Sequence, residues 1–160
     1  MPGILNLLPR LPEWRSVARG LENNLRQQLV FGAGGPVRGL LMAGWAERAG
    51  PVLIVTPQEA EARVLASDLK SLLPAHGVRL FPSWPLPTFQ VMAQGREAMA
   101  QRLGILQELC LGGSPIVVAP VEAILRRLTP RGAFCQQMLS LSGGMTLEPG
   151  LLFRTLLALG

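Results

Sequence analysis

The stretch VFGAGGPVRGLL, Val30 to Leu41, decides how the fold is read. A β-like run, Leu29-Val30-Phe31, enters Gly32, a glycine-rich turn, and then an apolar helix from about Val37. That is the outline of a phosphate-binding loop, GxxxxGK followed by Ser or Thr. In such a loop the glycines let backbone N–H groups reach the phosphates, the lysine meets the β/γ-phosphates, and the hydroxyl holds Mg²⁺. Aligned from Gly32, the second glycine is Val37, the lysine is Arg38 and the hydroxyl position is Gly39. Val37 sets a branched side chain against the phosphate, Pro36 removes an N–H donor, and the planar Arg38 fork does not replace a compact ammonium. What remains is a vestigial loop, Gly32, Gly34, Gly35 and Arg38, able at most to offer a helix N-terminus to an anion.

The rest of the composition agrees. Lys70 is the only lysine, Asp68 the only aspartate, and both belong to one predicted helix. No acidic pair stands at a strand end to hold Mg²⁺ or position water, so ATP hydrolysis by this chain is not expected.

Working outward, strands and helices alternate. Leu11 to Asn24 reads as a helix with an apolar face of Trp14, Val17, Leu21 and Leu25, and Gln27 to Phe31 as a short strand. Val37 to Arg48 is helical. Pro51 to Val55 is a continuous apolar run, as in a strand covered on both faces. Thr56 and Glu59 have capping-box spacing, opening a helix at Pro57 that runs to about Leu73. Val78 to Phe81 and Ser114 to Ala119 are further strands, followed by helices over Arg96 to Leu111 and Pro120 to Leu128. This alternation specifies an α/β fold, a mainly parallel sheet with helices on both faces. After Thr129-Pro130-Arg131 the pattern changes. Gln136 to Leu141 alternates like a half-exposed strand, Gly143-Gly144 turns, and Leu147 to Leu159 is an amphipathic helix, the start of a second, small α+β unit.

The 160 residues carry 49% hydrophobic residues, a mean hydropathy of +0.33 and a net charge of +5. They suit a chain with a real core and exclude disorder. No apolar run reaches the roughly 18 residues of a membrane span, and the N-terminus lacks the pattern of a secretion signal, so a cytoplasmic protein is expected. Cys110 and Cys135 lie apart in apolar surroundings with one histidine, His76, in the whole chain. They are read as two buried thiols, with no metal site. Ser83 and Ser114 have no partner base in sequence, and Glu97, Glu108 and Glu122 fall on predicted helices as solvated faces. No catalytic residue is assigned.

Five stretches now stand in order: the degenerate loop Gly32 to Gly39, GPVLIVTPQEAEARVLASDL, LFPSWPLPTF, EAMAQRLGIL and IVVAPVEAILRRLTPR. Together, from about Leu11 onward, they resemble the N-terminal region of bacterial transcription-repair coupling factors, which is similar to the first domains of the excision-repair protein UvrB. The resemblance implies an N-terminal helical segment over residues 1–25. It implies a UvrB-like α/β domain over 26–133, of P-loop NTPase/helicase type with a degenerate Walker A loop. Residues 134–160 would begin the small domain that docks UvrA. The family's UvrA-contacting residues fall beyond Gly160, so none is assigned here. The connection after Trp84, Pro85-Leu86-Pro87-Thr88-Phe89, is too short for the long DNA-gripping hairpin of UvrB.

The function so implied is a non-catalytic segment in transcription-coupled nucleotide excision repair, helping to recruit UvrA and to restrain the motor through intramolecular contacts. This segment would need no cofactor, since ATP and Mg²⁺ serve the family's downstream motor, and downstream domains bind RNA polymerase and DNA. No membrane partner is implied. Two other readings are a P-loop ATP-binding helicase or translocase half, and an arginine-based DNA-binding module. The second would use Arg102, Arg126, Arg127 and Arg131 for DNA or protein contacts, because fourteen of the fifteen cations are arginines.

Overall fold

The computed structural model describes residues 3–48, 50–84, 92–139, 141, 143–146 and 148–159. They divide into two compact units, Met1–Arg126 and Arg127–Gly160. The reading of the connection at residues 85–89 lies outside the described residues.

In the first unit a 3₁₀ turn, Ile4–Arg10, leads into α1, Pro12–Glu22. Pro12 sits where its missing N–H costs nothing, and Glu13 complements the positive end of the dipole. Trp14 and Ala18 turn inward with Leu8 and pack on Leu40, Leu41 and Trp45 of α2, Gly35–Ala46. Leu25, expected to extend that apolar face, is exposed because α1 ends at Glu22 and the chain turns through Asn24 at φ 53°.

Three parallel strands follow: β1 Val52–Thr56, β2 Val78–Leu80 and β3 Ile116–Pro120, in the order β1-β3-β2. Their registers place Ile54 opposite Val118 and Leu80 opposite Val118 on the other side. β3 is central and buried throughout, which its unbroken apolar sequence anticipates. Its alternate residues serve two cores. Ile116 and Val118 pack with Ile54, Val78, Ala43 and Ala46 of α2, and Ala62, Leu65, Ala66 and Leu69 of α3, Glu59–Leu72. Val117 and Ala119 face the opposite way, against Phe81, Ile105 of α4 (Met92–Cys110) and Ala123 of α5 (Val121–Leu125). The sheet is therefore parallel with helices on both faces.

Several expectations need correcting. Gln27–Phe31 forms no strand; Leu29 and Phe31 are 72% and 86% exposed, so nothing covers the faces a buried strand would need. Thr56 does not cap α3. Its hydroxyl donates to the Gln58 carbonyl at 3.0 Å, and the helix begins two residues later than expected, at Glu59. The helix after β3 stops at Leu125, where Arg126 turns extended (ψ 138°). Cys110 and Cys135 are half-buried and neither is a free thiol.

The second unit holds α6, Arg131–Gln136, a turn at Gly143-Gly144 with Gly144 at φ 84°, and α7, Pro149–Leu159. Gln136 closes a helix where a strand was expected to start, and no strand occurs among this unit's described residues. Polar-apolar alternation alone did not suffice there, since no described strand lies in this unit to pair with it. No helix among the described residues is long and apolar enough to cross a membrane.

Candidate functional site

The glycine loop keeps its helix and loses its strand. Gly32 and Gly35 adopt φ of 77° and 48°, conformations that favour glycine, and α2 starts at Gly35 with Pro36 in its first turn. Two N–H groups that a phosphate cradle would aim outward are taken internally. Gly34 donates to the Gly32 carbonyl at 3.1 Å and Val37 to the Gly34 carbonyl at 3.2 Å. Arg38, in the lysine position, donates to Glu61 of α3 at 3.3 Å, so the loop's cation is matched by a carboxylate of the same fold. Gly39 is buried inside α2, with Leu65 nearest to where a side chain would project.

At the carboxyl ends of the strands, where open α/β sheets place their ligands, the structure gathers residues that sequence spacing did not connect. Glu59, read as a capping residue, instead accepts the Ser83 N–H at 2.8 Å and the Arg63 guanidinium at 2.6 Å. Burial pushes its carboxyl up, but the Ser83 N–H and the Arg63 guanidinium outweigh burial and leave it below the ordinary value of 4.5. This contact ties the start of α3 to the segment leaving β2.

Arg102 is buried. Its guanidinium donates to the Pro82 carbonyl at 2.6 Å and the Ala123 carbonyl at 3.3 Å, and lies 4.0 Å from the Phe81 ring centre. Desolvation, and then repulsion from Arg126, lower its pKa. Trp84 joins the two arginines, with Arg102 at 5.7 Å and Arg126 at 6.0 Å from its ring. The four arginines singled out in sequence are thus placed differently. Arg102 is committed to carbonyls inside the first unit, Arg126 is exposed beside Trp84, and Arg127 and Arg131 are exposed in the second unit. A signal for Arg102 existed: helical spacing sets it with Ile105 and Leu106 on the face that packs on the sheet.

Among the described residues, no group of three His, Cys, Asp or Glu side chains converges as metal ligands would.

Comparison with known proteins gives the frame for these observations. Over 161 aligned residues, covering the whole chain, it is 30% identical to the transcription-repair-coupling factor of Bacillus subtilis (strain 168). Over 99 residues, 58% of the chain, it is 32% identical to the transcription-repair-coupling factors of Mycobacterium bovis and Mycobacterium tuberculosis. The chain spans 14% of the length of the Bacillus relative and 8% of the mycobacterial ones. No protein-family model matches it, and no solved structure does. Identity of 30% sustained over the full length of the chain leads to one conclusion: the chain belongs to the transcription-repair-coupling factor family.

Proposed function

We propose that the chain is a non-catalytic scaffold of the transcription-repair machinery, a UvrB-like domain of P-loop descent whose nucleotide loop has been disarmed. It would help recruit UvrA and restrain the motor carried elsewhere in the factor. The observation that carries this reading is the Arg38–Glu61 pair beneath a loop that no strand supports. A working phosphate loop needs a free cation, free N–H groups and a rigid strand to hold them; here the Arg38 guanidinium meets Glu61, the Gly34 and Val37 N–H groups are bonded within the loop, and residues 27–31 form no strand. Binding partners, in this reading, come from the family's role in coupling transcription to repair, and ATP and Mg²⁺ act only in the motor. A pull-down with purified UvrA tests it. The chain extended through a complete second unit should retain UvrA, and the 160 residues alone should do so weakly. Failure of the extended form to retain UvrA overturns the reading.

A second reading, direct DNA binding, draws on Arg126 exposed beside the half-exposed Trp84, a cation and an aromatic surface of the sort that single strands stack on. It requires an affinity that falls steeply with salt. Fluorescence anisotropy with a labelled oligonucleotide at low salt decides it, since undetectable binding there removes it.

A further inference from the structure

Arg102 is a buried cation without a counter-charge. It is 4% exposed and held by the Pro82 and Ala123 carbonyls. Neither Arg102 nor Arg126 enters an ion pair among the described residues. Carbonyl oxygens satisfy its N–H groups but bring no net negative charge. Glu59, which accepts the N–H of Ser83 next to Trp84, is already matched by Arg63 at 2.6 Å. Burial, and then repulsion from Arg126, lower the pKa of Arg102. Two positive charges, one of them desolvated, therefore meet at this point, and an anion brought to it relieves both.

The two cations share one aromatic ring. Trp84 lies 5.7 Å from Arg102 and 6.0 Å from Arg126, and it is 40% exposed. The arginines hold it in different ways. Arg102 is pinned by its two carbonyls and by the Phe81 ring at 4.0 Å, so it fixes the indole against the fold. Arg126 stands at the limit of cation–π reach. It follows the last turn of α5 in extended backbone and is exposed, so its guanidinium can turn to another partner. A carboxylate would use the arginine and leave the ring in water. A flat ligand that is also anionic uses both.

We infer that Trp84 and Arg126 form a stacking site for one unpaired base of a single-stranded nucleic acid, the adjoining phosphate on Arg126 and Arg102 supplying a fixed positive potential. The inference rests on the second reading above, direct DNA binding, and narrows it to one ring, one exposed cation and an unpaired strand. Every base has a ring face that an indole can cover, and that face is open only where the strand is single. In a duplex each base already stacks on its neighbours and must be unstacked first. Arg127 and Arg131, in the other unit, are not needed. Neither UvrA recruitment nor the state of the nucleotide loop enters.

The test is anisotropy of a labelled oligothymidylate titrated with the 160-residue chain at low salt, with tryptophan emission read in parallel. The expected result is binding that quenches part of the emission, with a duplex of the same length competing at least about tenfold worse. Trp84→Ala should weaken binding at least about fivefold and remove the quenching, and Trp84→Phe, which keeps a ring face, should lose less. Arg126→Ala, at an exposed site, should flatten the dependence of log Kd on log salt by about 0.7, the share of one phosphate on a single strand. Circular dichroism checks that each variant is folded. If no oligonucleotide binds, the second reading fails and the inference with it. If oligonucleotides bind but the duplex competes equally, or Trp84→Ala and Arg126→Ala bind as the parent does, DNA binding stands and this site is overturned. Displacement by polyglutamate at equal charge also overturns it, because the partner would then be an acidic protein segment.

Discussion

Arg38, in the first turn of α2, and Glu61, in the first turn of α3, lie 3.3 Å apart and tie the starts of the two helices together. The two side chains retain 42% and 39% of their exposure, so the pair neutralises a charge without adding much stability. Arg38→Ala should lower unfolding free energy by no more than about 1 kcal/mol in urea titrations. A larger loss would mean that Arg38 has a structural task beyond this pair.

Arg102 predicts the opposite. Replacing it with methionine leaves the Pro82 and Ala123 carbonyls without their donor, at a cost of about 2–3 kcal/mol. Arg102→Lys should recover little, since one ammonium cannot serve two carbonyls and also lie flat on Phe81. Arg126→Ala, at an exposed site, should stay within about 0.5 kcal/mol. Thermal unfolding of the three variants in parallel checks the ranking.

Glu59 gives a pH signature. Its carboxyl is held below the ordinary value of 4.5, so the stability it confers is present above that pH and is lost as the pH falls through the lower folded value. Glu59→Gln should be less stable than the parent at neutral pH, and the gap should close below about 4.5. Urea midpoints measured across that range would show it, and a gap independent of pH would contradict it.

Gly44 of α2 faces Leu8 and Trp14 of the N-terminal segment. A methyl group there would sit 2.5 Å from the Leu8 side chain and 3.0 Å from the Trp14 ring. Gly44→Ala should therefore cost about 1–3 kcal/mol through overpacking, despite alanine's better helix propensity. The drop should be visible in thermal melts together with a change in Trp fluorescence.

These residues also show what could be read in advance. The unbroken apolar run of β3 and the stripe Ala62, Leu65, Ala66 and Leu69 of α3 were legible, because burial leaves a direct trace in composition, whereas β1, expected to be covered on both faces, is covered on one only, with Leu53 and Val55 56% and 45% exposed. Gln27–Phe31 carries the same trace and yet stays unpaired, since a strand exists only where a partner edge is available, and sequence does not report the partner. Glu59 and Ser83 sit 24 positions apart, and Arg102 reaches Pro82 across 20, so their meeting arises from the sheet order alone. The turn before α2 was legible for a simpler reason: Gly32 and Gly35 take φ of 77° and 48°, conformations that favour glycine.

The most direct measurement is the melting temperature of the purified chain with and without millimolar Mg-ATP. A site filled at 100 times its Kd would add about 2.7 kcal/mol, roughly 5–10 °C for a chain of this size. The account predicts no shift. A shift of that order, abolished by changing Arg38 or Gly34, would contradict it.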